Sequence, residues 1–339
     1  MTEQKRPKLN FEDKIILIRK LAEISQGIYD AIWKAKQNPD KRAIQDTRDY
    51  KGHEESSIDV DARNRAISLI EKYMEEFEGY LRFEHLPYKK KLAQNSSGNE
   101  MCLIIDEIEG TTNVKRWLAS SLEYFPLAGI SFALCLDDFL SSMVVSLFHT
   151  FDSNQAFASA RTEEGSFVGF RRDHDWRHIA VIDKKDYCAT KGDSRSRVVV
   201  ACYSNSHRKE NALIEEAIYG NGLKVYGGCR ASGVDIINIL RNQFDAYIDL
   251  RHLLNQAFPS KKEEAELQVY DCAGAIGVAL GCGLEVCDCS GKPWEEFHCD
   301  DAVNLIVCRP NLKQKILDAI KPLVDDLKSK LPDKPSTGC

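Results

Sequence analysis

A layered α/β sandwich is the fold class this sequence predicts, and three successive patterns predict it. Apolar residues first recur at helical spacing, then crowd into closely spaced strands, then alternate between strand-like and helix-like runs. A single doubly wound sheet would alternate from the start, so the early helix pair and the central meander favour layers.

Residues 11–38 carry Ile15, Ile16, Ile18, Leu21, Ile24, Ile28 and Ile32 at spacings of three and four, an amphipathic helix from Phe11 to Gln37. A polar run to about residue 57 predicts a loop or mobile flap. A second helix is predicted over 60–78, with Ala66, Ile67, Ile70, Tyr73, Met74 and Phe77 on one side. Residues 88–100 form a polar connection.

From Met101 the period changes. Strands are predicted at 102–106, 125–136, 141–149 and 154–161, close enough together for an antiparallel meander. Beyond residue 196, strands ("RVVVACYS", "LKVYGG", "DAYIDL", "GLEVCD", "AVNLIVC") alternate with helices near 207–219, 232–242 and 271–281, and a last amphipathic helix spans about 311–330. Residues 255–268 read as a charged surface excursion. The domain reading is 1–195 for the helix pair and meander, 196–330 for the alternating half, and 331–339 for a disordered tail.

The 339 residues are 43% hydrophobic and 29% charged, ordinary for a soluble globular protein. No apolar run has transmembrane length, and the charged N-terminus lacks a secretory apolar core. Twelve irregularly spaced cysteines without such a signal read as free thiols in a reducing compartment, so cytoplasm is the expected location. A net charge of −6 argues against a non-specific nucleic-acid binder.

The chemistry concentrates at "LIIDEIEGTTN", residues 103–113, where an apolar strand runs into Asp106, Glu107 and Glu109 and then turns at Gly110. Carboxylates at the end of a buried strand are costly unless a cation meets them. Alternation puts Asp106 and Ile108 on one face with Glu107 looking away, and Thr111 and Thr112 suit the N-cap of a following helix. Turn amides beside clustered carboxylates suit phosphate and a bridging divalent cation, with Mg²⁺ or Mn²⁺ favoured by the hard oxygen ligands. By themselves these residues fit an acidic surface turn before a capped helix equally well.

"IIDEIEGTTN" resembles the Asp-Pro-Ile-Asp-Gly-Thr signature of the inositol monophosphatase and fructose-1,6-bisphosphatase superfamily of Mg²⁺-dependent, lithium-sensitive sugar phosphatases. "VYDCAGAIGVALGCGLEV" at 269–286 is similar to the second signature, Trp-Asp-x-Ala-Ala-Gly, and "LRFEHLP" at 81–87 resembles the upstream acidic element. The order and rough spacing agree over about residues 11–310.

The resemblance implies an αβαβα sandwich and a metal-dependent phosphomonoesterase acting on a small polyol or sugar phosphate. Inositol monophosphate and fructose 1,6-bisphosphate lead the substrates, followed by 3′-phosphonucleotides. It implies metal ligation by Glu84, Asp106, Glu109, Asp271 and the Ile108 carbonyl. Thr111 would hold the attacking water with Glu84 as base partner, and the Gly110, Thr111 and Thr112 amides would cradle phosphate. Asp249 would reach substrate hydroxyls, and Arg251 in "DAYIDLR" would hold a second anionic group. A small phosphorylated metabolite as partner and a homodimer follow from the same likeness, with no membrane or nucleic acid.

Several positions depart from the pattern. Glu107 stands for proline, Glu109 for the signature's aspartate, His85 for a second glutamate and Tyr270 for tryptophan, while "YGGCRASGVDI" lacks the usual Gly-Ser pairing. Glu109 puts its carboxylate one methylene further out. A catalytically weakened relative with a binding or regulatory role is therefore the alternative reading. Arg230 in "CRASG" fits a phosphate contact or a structural salt bridge equally well, and Lys51 in the early loop reads first as a solvated lysine. Cys282, Cys287, Cys289, His298 and Cys299 invite zinc but contain no C-x₂-C pair, so small apolar fillers are the better reading.

Overall fold

A computed structural model describes residues 9–38, 46–48, 54–74, 79–83, 90–91, 101–121, 125–172, 180–185, 196–201, 207–259 and 266–331. Glu84, His85, Lys51 and the 331–339 tail beyond Leu331 lie outside the described residues.

Helix α1 (Phe11–Gln37) starts at a reciprocal capping box, in which Asn10 accepts from the Asp13 N–H and Asp13 from the Asn10 N–H. Its apolar stripe, with that of α2 (Ser57–Tyr73), packs on an eight-stranded sheet. The sheet is built from β3 (Gly79–Phe83), β4 (Lys90–Lys91), β5 (Met101–Glu109), β6 (Gly129–Cys135), β7 (Met143–Thr150), β8 (Gln155–Arg161), β9 (Phe167–Arg172) and β10 (Ala180–Val181). Strands β5 to β10 form an antiparallel meander in chain order, and β3 lies parallel to β5 at the other side.

The second sheet has the order β12–β11–β13–β15–β14, from β11 (Arg197–Val200), β12 (Lys224–Gly227), β13 (Ala246–Asp249), β14 (Glu285–Cys287) and β15 (Leu305–Cys308). Between the sheets lie α5 (Ser232–Leu240) and α7 (Val269–Gly281), both apolar on nearly every side, as a helix buried between two sheets must be. Outside the second sheet pack α4 (Arg208–Gly220), α6 (Arg251–Ala257) and α8 (Lys313–Ser329). The layers are thus α1/α2, sheet, α5/α7, sheet and α4/α6/α8, the αβαβα sandwich.

Helix α7 sits unusually close to the first sheet. A Cβ on Gly274 would stand 2.6 Å from the Leu147 carbonyl and the Ser131 hydroxyl, and only a hydrogen there lets the helix settle. The Gly274 N–H donates to Ser131 Oγ (3.1 Å), and Ser159 Oγ donates to the Gly277 carbonyl (2.7 Å).

Several expectations change. The second helix begins at Ser57 rather than 60 because Ser56 and Asp59 cap it. The polar stretch before it contains a short antiparallel pair, β1 (Asp46–Arg48) and β2 (Glu54–Ser56). The 255–268 excursion opens inside α6, whose Leu253, Leu254 and Ala257 are buried against the outer layer. Strand β9 was not predicted; its glycine at 169 sits against Gly281 and Cys282, so the strand lacks a regular apolar alternation. No described helix is long and apolar enough to cross a membrane.

Candidate active site

Strand β5 delivers the acid cluster, but not by simple alternation. Leu103 and Ile105 face α1 and α2, while Cys102 and Ile104 face α7. Between Asp106 and Glu109 the pairing with β6 slips, a bulge that shifts the pleat. Ile108 therefore packs with the Leu103 side, and the expectation that it shares a face with Asp106 fails. Asp106 Oδ1 accepts from the Ile108 N–H (3.0 Å), which closes the bulge. Glu107 does look away from the cluster, towards α2, where its carboxylate lies 3.8 Å from the Arg63 guanidinium.

The turn is set by Gly110 at φ 91, a left-handed conformation that costs glycine little. A Cβ there would also stand 3.0 Å from the Ala231 Cβ and 3.1 Å from the Leu127 carbonyl. Helix α3 (Thr111–Ala119) starts directly after it, with Gly110 as N-cap in place of the threonines predicted for that role. Its first N–H groups, those of Thr111 and Thr112, have no intrahelical acceptor and lie at the positive end of the helix dipole. Thr112 is exposed and Thr111 is half-buried.

The Thr111 hydroxyl is held by Asp59 of α2, 2.9 Å away, and also lies 3.0 Å from the Ile108 carbonyl. Asp59 is itself fixed, since its other oxygen accepts from the Ser56 N–H (3.1 Å) and hydroxyl (2.6 Å). Asp59 was missed in the sequence. Its signal was the Ser-x-x-Asp spacing of "SSID" at 56–59, a capping box that conceals a second partner 52 residues away.

Across the site stand α5, α6 and α7. Glu109 Oε1 accepts from the Gly233 N–H at the start of α5 (3.0 Å) and comes within hydrogen-bonding reach of Asp106. Asp271 lies in the first turn of α7, where it accepts from the Gln268 N–H (3.0 Å). Burial pushes the Glu109 carboxyl up to about 7 despite the Gly233 bond, and burial with the Glu109 charge raises Asp271 well above the carboxylate range. Asp106 and Asp271, from β5 and α7, thus each lie beside Glu109.

Asp249 and Arg251 belong to the same neighbourhood but engage each other. Arg251 Nη2 lies 2.6 Å from Asp249 Oδ2, its Nε is 3.0 Å from both carboxylate oxygens, and the Tyr247 hydroxyl donates to Oδ2 at 3.0 Å. Asp249 is wholly buried and Arg251 nearly so. The Arg251 charge holds both Glu109 and Asp271 lower than burial alone would leave them.

The cysteines do not gather as a zinc site. Cys287 and Cys289 pack in the outer core and Cys282 and Cys299 in the central one, as apolar fillers. Among the described residues the one group of three whose ligand atoms all lie within 4.8 Å of one another is His298, Cys299 and Asp300, and Asp300 is ion-paired with Arg82.

No protein-family model and no curated protein matches this chain. Solved structures do. The extragenic suppressor protein SuhB from Bartonella henselae superposes with a TM-score of 0.65 over 90% of this chain and 98% of its own, at 13% identity. The fold is that of the inositol monophosphatases. The IMPase of Thermotoga maritima gives a TM-score of 0.61 at 13% identity over 90% of this chain and 97% of its own. An inositol monophosphatase–fructose 1,6-bisphosphatase gives 0.61 at 14% identity over 92% and 100%.

Proposed function

We propose that this chain is a metal-dependent phosphomonoesterase acting on a small polyol or sugar phosphate. The observation that carries the reading is the convergence of buried Asp106 and Glu109 with half-buried Asp271, beside the open N-terminus of α3. Carboxyls whose proton affinity burial raises, with the Glu109 charge adding to it at Asp271, are oxygen donors of the kind a hard divalent cation takes. The donor type suits Mg²⁺ or Mn²⁺; Asp106, Glu109 and Asp271, whose ligand atoms do not all lie within 4.8 Å of one another, would hold it on drawing closer, with Glu84 and the Ile108 carbonyl completing the set that the resemblance implies. When bound, the metal would neutralise charge on the phosphate oxygens and acidify the attacking water.

The chain's own groups supply the rest. The Thr111 and Thr112 N–H groups bind phosphate oxygens at the helix end. The Thr111 hydroxyl, turned by Asp59, keeps a lone pair for the water proton and passes its own proton to Asp59, so the pair acts as a general base. Ile108 and Gly110 fix the position of that hydroxyl relative to the amides. In this arrangement Asp59 takes the base-partner role that the resemblance assigns to Glu84.

A second reading, a relative that binds a metabolite with little turnover, is favoured by Arg251. Its guanidinium already lies among the carboxylates and offsets part of the charge that would draw a cation.

The two are separated by phosphate release from inositol, sugar and nucleotide phosphates with Mg²⁺, Mn²⁺ or EDTA, with and without lithium. Metal-dependent release that Asp106→Asn abolishes supports the enzyme. No release with any metal, while a phosphorylated ligand still raises the melting temperature, supports the binding protein.

A further inference from the structure

Arg230 is the one arginine among the described residues with a left-handed backbone, at φ 65; the other non-glycine residues with positive φ are Asn154 and Asn242. Asparagine tolerates that conformation because its short side chain bonds locally, whereas arginine gains nothing from it and glycine would adopt it freely. Strain of this kind persists where the surroundings over-determine the backbone, and it gathers at functional sites.

The surroundings of Arg230 do over-determine it. On one side the Cys229 N–H donates to Asp235 (2.9 Å) and the Cys229 carbonyl accepts from Asn113 Nδ2 (2.8 Å), in the first turn of α3. On the other side Ala231 packs over Gly110, and the Gly233 N–H is committed to Glu109. Arg230 thus sits at the crest of the loop that covers the turn between the acid cluster and α3. Its side chain is exposed, and among the described residues none forms an ion pair or hydrogen bond with it. The salt-bridge reading of Arg230 is therefore without a partner there. Arg251, the arginine expected to hold a second anion, is spent on Asp249.

We propose that Arg230 is a specificity-determining residue of this site, a guanidinium held at the rim by a strained backbone to bind a second anionic group on the same small phosphate ester. The inference rests on the phosphatase reading above. A guanidinium offers a planar pair of donors matched to a phosphate or carboxylate, and an unpaired one at a rim is free to form that bidentate contact. Its cost to the fold is the strain, and its gain appears only when a doubly anionic ligand is bound.

The test compares the full chain with Arg230→Gly and Arg230→Lys on fructose 1,6-bisphosphate and fructose 1-phosphate. Losing a charge-assisted contact should lower the bisphosphate-to-monophosphate ratio of kcat/KM about tenfold in Arg230→Gly, chiefly through KM. Arg230→Lys should recover part of the ratio. The melting temperature of Arg230→Gly should equal or exceed that of the parent, since glycine relieves the strain. An unchanged ratio overturns the proposal, as does a lowered ratio accompanied by a lower melting temperature. If the parent hydrolyses neither ester nor any of the inositol, sugar and nucleotide phosphates above, the phosphatase reading falls by itself. Calorimetric affinities for the two esters then decide the Arg230 proposal: a bisphosphate preference lost in Arg230→Gly upholds it, and equal affinities overturn it.

Discussion

Replacing Asp59 by alanine removes three hydrogen bonds at once, those from the Ser56 N–H (3.1 Å), the Ser56 hydroxyl (2.6 Å) and the Thr111 hydroxyl (2.9 Å). Each is worth about 0.5–1.5 kcal/mol net, so Asp59→Ala should destabilise the fold by roughly 2–4 kcal/mol. Thr111→Ala loses one of the three and should cost about 1 kcal/mol. The rates should behave differently. If the pair acts as one base, either substitution removes about 10²- to 10⁴-fold of catalysis, and the double variant is no slower than the worse single one. The assay is a double-mutant cycle, with stability from urea unfolding and turnover from Mg²⁺-dependent phosphate release on whichever ester the parent prefers. Thr111→Ser keeps the hydroxyl and should keep most of the rate. Rate losses that multiply in the double variant would refute the reasoning, because Asp59 would then be acting on something other than Thr111.

Three further outcomes follow from the packing and the charges. Gly274→Ala, whose new Cβ meets a carbonyl at 2.6 Å, should destabilise by about 1–3 kcal/mol in urea unfolding, and a neutral result would mean α7 can move off the sheet. Glu109 holds its proton more tightly folded than unfolded, so between its ordinary 4.5 and about 7 the metal-free fold binds more protons than the unfolded chain. Its stability contribution is full below that window and is lost as pH rises through it; Asp271 acts in the same direction. Thermal melts without metal should therefore decline across this range, and Mg²⁺ should restore stability most at the upper end; a flat profile would contradict the buried position of Glu109. Arg251→Ala leaves Asp249 charged and buried and should cost about 3–5 kcal/mol, much of it regained in the Asp249→Asn, Arg251→Ala pair, as read by denaturant midpoints.

Most elements were legible because their periods were unambiguous. The α1 stripe, the crowded strands of the meander and the strand–helix alternation after residue 196 each follow from which positions must avoid water. The failures were local competitions. The 255–268 stretch reads by its charges as surface, while its first residues end α6 and bury Asn255 and Ala257. The bulge at 106–109 had no period to reveal it, since one residue's slip changes the face of everything beyond it.

Of the candidate site, Asp106, Glu109, Gly110 and Thr111 could be named from the chain because a strand ending in acids before a turn carries its own local reason, whereas Asp271 was named only through the resemblance of 269–286 to a second signature. Contacts between distant segments could not. Asp59 reads as a cap until α2 docks on β5 and Thr111 meets its free oxygen; Arg251 reads as a ligand for substrate until it closes on Asp249; Arg230 reads as any surface arginine until its φ is measured. By itself the sequence determined the layers, the acid cluster and the turn, because burial and backbone geometry act over a few residues. Only the tertiary structure decided which carboxylate orients the hydroxyl, which arginine is neutralised and which remains open at the rim, because pairing between distant groups depends on distances that no spacing in the chain encodes.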